Sequence, residues 1–286
     1  MIDNSDIDKV FKDQKAIDRI RYLIHRRLGI HIKEGKESLL RQRLWKLILN
    51  NEYQDLNHLC DEIERAQDSN ILLRLATLIS TNHTYFFRET THFDFLQTTV
   101  VKNLTPDNGK IRFWSAAASS GEEAYSLCMT LAEIMGIDRF SREVALLGTD
   151  ISQKVLDAAE KGIYTVENFE KIPSMYRMNY TESAGQEGFF QIKQVLRNAC
   201  LFRRLNLNMC KYPFKQKFHV IFCRNVFIYF DHATQEAICN EFARVSMPDA
   251  WLFISQTETL RNLNVPWKYV NPGIYRKALN PHYGDQ

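Results

Sequence analysis

The stretch FWSAAASSGEEAYSL, residues 113–127, decides the fold of this chain. Its apolar start is followed by six small residues, by Gly121 and by two adjacent carboxylates that open an apolar helical pattern. This order predicts a strand that turns into a helix around a ligand. The stretch holds one glycine and no GxGxxG pattern, so a dinucleotide fits it poorly.

Two patterns on either side of this stretch divide the chain. Up to about residue 82 there are four amphipathic helical patterns and no convincing strand, which predicts a small all-helical domain. From Lys110 onward short apolar runs alternate with helical patterns, which predicts an α/β fold with a mostly parallel sheet. The runs around Pro272–Gly273 predict a hairpin and therefore an antiparallel last strand. The expected division is a helical domain over 1–82, a linker over 83–109 and an α/β domain over 110–286, with a small β insertion at about 176–199.

Composition bounds the class of protein. No apolar run reaches the roughly 18 residues of a membrane helix, and the start MIDNSDID has no signal-peptide pattern, so we expect a cytoplasmic protein. The six cysteines form no CxxC and the eight histidines form no HxxxH, so we expect reduced thiols and no metal. The net charge of +3 does not require a polyanionic partner. Residues 15–50, however, hold ten Lys or Arg against three Asp or Glu, which predicts a basic face.

Polar residues follow four successive predicted strands. Ligands of open parallel sheets bind at the carboxyl ends of the strands, so these residues are candidates for one site. The residues are Glu122 after the first strand, Asp150 after the second, Asn206 with Leu207 after the third, and Arg224, Asn225 and Val226 after the fourth. A carboxylate such as Asp150 suits ribose hydroxyls, and an amide beside an apolar side chain suits adenine. The sequence shows no basic cluster that could bind a pyrophosphate, so these residues together point to S-adenosylmethionine rather than to a dinucleotide. Glu122 as a first-turn acid and Asp150 as a helix cap are the open alternatives.

The chain resembles the chemotaxis receptor methyltransferases, the CheR family, over most of its length and in the family's order. The motifs that carry the resemblance are TNHTYFFRETTHF (81–93), WSAAASSGEEAYSL (114–127), TDIS (149–152), LNL (205–207) and FCRNVFIYFD (222–231). The resemblance implies a Rossmann-like class I methyltransferase domain behind a helical domain. It implies cofactor contacts at Asn82, Thr84, Arg88, Glu122, Asp150, Asn206, Leu207, Asn225 and Val226. The expected reaction is methyl transfer from S-adenosylmethionine to receptor glutamate side chains, which leaves S-adenosylhomocysteine.

This reaction requires little chemistry from the protein. A glutamate carboxylate, with a reference pKa of about 4.3, is ionised at neutral pH and needs no general base. Holding it in line with the sulfonium methyl, with water excluded, is the catalytic task. We expect Arg88 or Arg224 to orient the carboxylate and Tyr229 to line the transfer channel, although Tyr229 also fits a place in the core.

The expected partner is the cytoplasmic helical region of methyl-accepting chemotaxis receptors. Lys36, Arg43 and Lys46 lie at spacings of seven and three on one helical pattern, which puts them on roughly one side as a docking face; a solvated face is the alternative. The β insertion suits either a receptor C-terminal peptide or a structural flap. We expect a monomer with no nucleic-acid partner and no membrane insertion. The alternative functions are a nucleic-acid methyltransferase and a non-catalytic S-adenosylmethionine-binding signalling module.

Overall fold

The computed structural model describes residue 11 and residues 13–33, 35–49, 53–65, 70–79 and 83–278. The chain forms two compact units. Unit 1 contains the described residues before His83 together with Asn206–Asn208 and Tyr229–Thr234, and unit 2 contains the remainder. Two short segments from the second half of the chain therefore belong to the helical unit, a feature that the predicted division did not include.

The described part of unit 1 contains the helices α1 (Gln14–Leu28), α2 (Glu37–Leu49), α3 (Leu56–Arg65) and α4 (Asn70–Ile79). The Asp13 carboxylate caps α1 by accepting hydrogen bonds from the backbone N–H groups of Lys15 and Ala16 at 3.0 and 3.3 Å. The helix ends at Gly29, whose φ of 75° is left-handed. The chain then pairs at the Ile30–Phe230 bridge, so unit 1 includes a piece of extended backbone beside its helices.

Unit 2 contains a seven-stranded sheet in the order β6-β2-β1-β7-β8-β10-β9. Its strands are β1 (Ile111–Ala116), β2 (Val144–Asp150), β6 (Cys200–Arg204), β7 (Phe218–Phe222), β8 (Ser246–Phe253), β9 (Trp267–Asn271) and β10 (Ile274–Lys277). The first five run parallel, and β10 is antiparallel to both β8 and β9. The predicted α/β class and antiparallel last strand are confirmed. No described helix is long and apolar enough to span a bilayer.

Helices lie in the connections from β1 to β2, from β2 to β6 and from β7 to β8. The α-helices of the described chain after unit 1's first four are α5 (Thr90–Phe95), which precedes β1, and α6 (Glu122–Met135), α7 (Ile137–Glu143), α8 (Gln153–Lys161), α9 (Val166–Lys171), α10 (Ser174–Tyr180), α11 (Gln194–Arg197) and α12 (His232–Arg244). The core of the sheet is strongly aromatic. Trp114 on β1 is fully buried, lies 5.1 Å from the Phe242 ring, and donates a 2.9 Å hydrogen bond to the Thr149 hydroxyl. This contact fixes the β1–β2 pair just before the two strands reach the loops that follow them.

A second, antiparallel sheet in the order β3-β5-β4 is inserted between β2 and β6. Its strands are β3 (Ile163–Thr165), β4 (Thr181–Ser183) and β5 (Phe189–Ile192). Phe190 on β5 packs on Tyr164 of β3, with ring centroids 5.7 Å apart. The small sheet therefore begins at Ile163, before the predicted range of 176–199. Its first strand was missed because it follows α8 directly and is only three residues long.

Candidate active site

The loop after β1 has a backbone that few side chains tolerate. Ala117, Ser119 and Gly121 have φ values of 68°, 49° and 96°. A Cβ on Gly121 would lie 2.8 Å from the Cβ of Ala159, so the helix α6 starts against α8 with no space for a side chain. The small residues of the opening motif are explained by this geometry, since larger ones would keep the backbone away from a ligand at the end of β1.

Asp150, the last residue of β2, clamps this loop. One carboxylate oxygen accepts a 3.0 Å hydrogen bond from the Ser119 backbone N–H, and the other accepts one of 3.0 Å from the Ser152 N–H. The residue is 8% exposed. Burial raises the pKa of the Asp150 carboxyl, while the hydrogen bonds from Ser152 and Ser119 act in the opposite direction. Asp150 thus links the loop after β1 to the loop between β2 and α8.

The two adjacent carboxylates that open α6 have different partners. Glu122 is buried and accepts hydrogen bonds of 2.9 and 2.7 Å from the Ser120 hydroxyl. Glu123 accepts a 2.6 Å bond from the Ser115 hydroxyl at the end of β1, and its other oxygen lies 3.5 Å from Nε of Arg224. Burial raises the pKa of both carboxyl groups, and at Glu123 the positive charge of Arg224 opposes the increase. Of the two, Glu123 is the one that faces the loop after β7.

Arg224, which follows β7, is the centre of a buried charged cluster. Its side chain is 2% exposed and its Nε lies 3.8 Å from a Glu89 oxygen as well as near Glu123. Its Nη2 donates to the backbone carbonyl of Arg88, and the guanidinium lies over the Phe93 ring at 5.7 Å. Within the part of the chain that the structure describes, Nε and Nη1 have no hydrogen-bond partner. A buried cation with donors to spare, at the switch point between β1 and β7, is suited to a polar ligand.

Glu89 holds the segment before α5 on the end of β8. Its oxygens accept hydrogen bonds from the Ser255 hydroxyl at 2.8 Å and the Gln256 N–H at 3.1 Å. Burial raises the pKa of Glu89, but Arg224 and these hydrogen bonds outweigh burial and leave the pKa below its usual value. Next to it, His92 is fully buried, and burial together with the Arg224 charge lowers its pKa to about 4. His92 is therefore neutral at pH 7.

Glu258 organises the loop after β7 from the other side. Its carboxylate accepts backbone hydrogen bonds from Ser255 at 2.8 Å and from Asn225 and Ile228 at 3.3 Å each. Asn225 has a left-handed φ of 58°, and its side-chain amide lies 3.5 Å from Glu89. Burial raises the pKa of Glu258. The Asn225 backbone is thus held by the carboxylate of a residue in the loop after β8.

The residues from His83 to Glu89 pack against the rest of unit 2 through aromatic rings. Phe86 lies edge-on to Tyr164 of the small sheet at 4.9 Å, and Phe87 stacks on Tyr176 at 4.8 Å. Phe87 also has a left-handed φ of 55°, and its backbone N–H donates to the Ser126 hydroxyl at 2.9 Å. The half-buried Arg88 donates to the His83 carbonyl at 2.8 Å. This segment ends beside the Arg224 cluster.

The sequence-predicted site residues are divided between the two units. Unit 2 holds Thr84, Arg88, Glu122, Asp150, Arg224, Asn225 and Val226, whereas unit 1 holds Asn206, Leu207 and Tyr229. The Asn206 amide donates to the Arg27 carbonyl at 3.0 Å and its oxygen accepts from the Asn208 N–H at 3.0 Å, so both ends are engaged within unit 1. The Tyr229 carbonyl accepts a 2.7 Å bond from the His31 N–H. Asn82 lies outside the described residues.

The predicted site residues do not include five polar residues of this cluster. They are Glu89, His92, Glu123, Ser255 and Glu258. Ser255 and Glu258 follow β8, the fifth parallel strand. Asp150 was predicted because ligands bind at the carboxyl ends of parallel strands, and the same argument applied to β8 would have included these two residues. Nothing in the local sequence marks His92 as buried or Glu89 as the partner of Arg224, because these contacts join segments more than 130 residues apart.

Comparisons with known proteins decide what this arrangement belongs to. Residues 82–273 match the family described as "CheR methyltransferase, SAM binding domain", and residues 15–74 match "CheR methyltransferase, all-alpha domain". The chain belongs to the CheR methyltransferase family. A chemotaxis protein methyltransferase of Borreliella burgdorferi is 37% identical, and the match covers 94% of this chain and 95% of that protein. The Escherichia coli chemotaxis protein methyltransferase is 35% identical over 86% of this chain and 84% of its own length.

This CheR chain is accordingly a protein-glutamate O-methyltransferase of chemotaxis receptors that takes its methyl group from S-adenosylmethionine, and the predicted family, activity and cofactor are confirmed. The predicted docking residues lie in unit 1. Lys36 is exposed and precedes the first residue of α2, and Arg43 is half-buried within α2. The side chain of Lys46 is outside the described part of the structure.

Proposed function

We propose that unit 2 of this CheR chain holds S-adenosylmethionine at the carboxyl ends of β1, β2 and β7. The observation that carries the proposal is the loop from Ala117 to Gly121, which three positive φ values keep close to the strand ends and which Asp150 clamps. Ser119 adds a buried hydroxyl that has no hydrogen-bond partner among the described residues. A buried polar atom left unpaired costs stability, so it indicates a polar ligand.

The residues present fit the nucleoside and amino-acid parts of this cofactor. We assign the ribose hydroxyls to Asp150, because each carboxylate oxygen has a second acceptor position besides its backbone bond. Glu122, Thr84, Asn82, Asn225 and Val226 remain proposed contacts. Asn206 and Leu207 remain the proposed adenine contacts, and an adenine contact by the Asn206 amide requires exchange of its bonds to Arg27 and Asn208.

Bound S-adenosylmethionine supplies an electrophilic methyl group on a sulfonium. The task left to the protein is to orient the ionised receptor carboxylate and to keep water away. We assign the orienting role to Arg88, because the residue is half-buried whereas Arg224 is buried. Arg224 is buried and donates to the Arg88 carbonyl, so we assign it a positioning role. Tyr229 remains the proposed lining of the transfer channel.

The cofactor assignment is tested by calorimetric titration with S-adenosylhomocysteine. Asp150→Ala is expected to weaken binding at least about tenfold, since a buried hydrogen-bonding carboxylate is lost. Asp157→Ala is the matched control, because Asp157 lies in α8 and its carboxylate accepts a hydrogen bond from the nearby Gln153 side chain. Equal affinities in wild type and Asp150→Ala would remove Asp150 from the site.

The roles of the two arginines are separated by steady-state transfer of tritiated methyl groups to receptor-bearing membranes. Arg88→Lys is expected to raise KM for the receptor, because a point charge replaces the planar fork that binds carboxylate. Arg224→Lys is expected to lower kcat and the affinity for S-adenosylhomocysteine together, because it loosens the whole cluster. Tyr229→Phe tests the tyrosine: unchanged transfer and unchanged cofactor affinity would show that its hydroxyl has no role.

We propose that Lys36, Arg43 and Lys46 dock an acidic helical face of the receptor. Arg43→Glu is expected to slow receptor methylation severalfold while S-adenosylhomocysteine binding is unchanged, with the slowing reduced at high salt. Arg65→Glu, on the exposed end of α3, is the matched control for charge reversal. Equal methylation by both variants would exclude this face.

We further propose that the enzyme acts as a monomer in the cytoplasm, where the receptor helices are. The small sheet offers β3 and β4 as its outer strands, and β-strand addition of a receptor C-terminal peptide is the role that suits such an edge. Fluorescence anisotropy with a labelled receptor-tail peptide tests this role, and the absence of saturable binding would leave the sheet as a structural flap.

A further inference from the structure

Within the described part of the chain, one group of side chains outside the catalytic cluster has the make-up of a metal site. It consists of His25, His31 and Asp231, all in unit 1. One ligand atom from each lies within 4.8 Å of the others, and Nε2 of His25 is 2.8 Å from Oδ2 of Asp231. The His25 and His31 rings stand edge to face with centroids 6.0 Å apart.

The backbone holds these three residues in place by independent means. His25 lies in the last turn of α1, and its carbonyl accepts the N–H of Gly29 at 2.8 Å, which turns the chain back at the helix end. His31 follows the Ile30–Phe230 bridge and donates its N–H to the Tyr229 carbonyl at 2.7 Å. The register between the two histidines and the segment that carries Asp231 is therefore fixed by main-chain bonds.

Asp231 is also oriented by a second partner. Its Oδ1 accepts a 2.9 Å hydrogen bond from the Thr234 N–H at the start of α12, so Oδ2 is the oxygen that faces the histidines. A ligating carboxylate whose other oxygen is held in this way is typical of metal sites. The side chains of His25 and Asp231 are 42% and 30% exposed, which gives an ion a path from solvent.

We propose that His25, His31 and Asp231 form a site for a divalent transition-metal ion of the zinc type. Two imidazoles and one carboxylate are the donors that Zn²⁺ prefers, and three protein ligands leave a fourth position for water. Mg²⁺ and Ca²⁺ prefer all-oxygen sets and do not fit. The sequence prediction of no metal rested on local spacing, whereas these ligands lie as far apart as residues 25 and 231. A bound ion would fasten the end of α1 to the segment that begins at Tyr229.

The test is titration of the full, chelator-treated chain with Zn²⁺ by calorimetry and with Co²⁺ by visible absorption. We expect one ion per chain, and we expect His31→Gln and Asp231→Asn each to weaken binding at least about tenfold. His58→Gln, a histidine of α3 in the same unit, is the control and is expected to bind as the wild type does. Circular dichroism checks that the variants are folded.

Three results would overturn the proposal. They are the absence of saturable binding, an affinity that His31→Gln leaves unchanged, and a near-ultraviolet thiolate-to-cobalt band, which would place the ion on cysteine. The measurements use neither methyl donor nor receptor, so their outcome is independent of the proposed catalytic roles. Methylation rates with and without one equivalent of Zn²⁺ then report whether the ion affects the segment at Tyr229.

Discussion

Gly121 is the residue at which the loop after β1 meets the packed helices α6 and α8. Its φ is 96°, and a Cβ added there would lie only 2.8 Å from the Ala159 Cβ, so any side chain is costly. Gly121→Ala is expected to lower the free energy of unfolding by about 2 kcal/mol or more and to weaken S-adenosylhomocysteine binding. Urea unfolding and calorimetry measure the two effects.

Gly185→Ala separates backbone strain from crowding at Gly121. Gly185 has a similar left-handed φ of 73°, but no heavy atom of the described residues lies within 4 Å of the added Cβ. Its substitution is expected to cost about 1 kcal/mol and to leave cofactor binding unchanged. If Gly121→Ala and Gly185→Ala lose the same stability and bind S-adenosylhomocysteine equally well, the close approach of α6 and α8 contributes neither to stability nor to cofactor binding.

His92 provides a prediction about pH. Folding lowers its pKa from 6.5 to about 4, so between these values the unfolded chain binds a proton that the native chain does not. Stability contributed by the neutral imidazole is therefore lost as the pH falls from 6.5 towards 4. Between pH 7 and pH 5 the loss amounts to about 2 kcal/mol.

Glutamine does not titrate, so the His92→Gln variant is expected not to show this loss of stability between pH 7 and pH 5. Urea unfolding of both proteins at pH 7 and pH 5 gives the difference, in which the contributions of Glu89, Glu123 and other shared carboxyl groups largely cancel. Identical losses of stability on acidification would contradict a neutral buried His92.

Among the elements, α6 joins the loop after β1 to the segment that carries Arg88. The Ser126 hydroxyl donates to the Glu122 carbonyl at 2.6 Å and accepts the buried Phe87 N–H at 2.9 Å. Ser126→Ala leaves that N–H without a partner and is expected to cost about 1–3 kcal/mol in unfolding free energy. It is also expected to lower cofactor affinity by releasing the residues before α5.

Ser141→Ala in α7 is the matched control for Ser126→Ala. The Ser141 hydroxyl donates to the carbonyl four residues earlier at 2.8 Å, as that of Ser126 does, but Ser141 is exposed. We expect a change within about 0.5 kcal/mol. Comparable losses in the two variants would mean that the Phe87 bond does not contribute.

The elements also show what the sequence can predict. The apolar helical pattern that the two adjacent carboxylates open is α6 at Glu122–Met135, and it could be predicted because its small-residue entry and apolar periodicity are local signals. The third strand of the large sheet ends at Arg204, so Asn206 and Leu207 follow a strand end as predicted, but the bond from the Asn206 amide to the Arg27 carbonyl at the end of α1 has no local signal in the sequence. Which of Glu122 and Glu123 faces Arg224 was equally beyond prediction, because it depends on the helix phase that the left-handed Gly121 sets.

At the scale of the whole molecule, the helical unit is completed by residues from far along the chain. The last carbonyls of α1 have no partner within the helix, and the side-chain amides of Asn206 and Asn208 bond to those of Arg27 and Arg26 at 3.0 and 3.4 Å. Both variants, Asn206→Ala and Asn208→Ala, are therefore expected to speed amide hydrogen exchange over residues 25–31 without any cofactor present.

The same pair of variants distinguishes support of unit 1 from recognition of adenine. If Asn206 only caps α1, both variants exchange faster and both bind S-adenosylhomocysteine as the wild type does. If Asn206 also contacts adenine, Asn206→Ala alone loses affinity, by about 1–3 kcal/mol for a lost buried hydrogen bond. Unchanged exchange over residues 25–31 in both variants would contradict the capping role, because the two side chains would then not protect these amides from exchange.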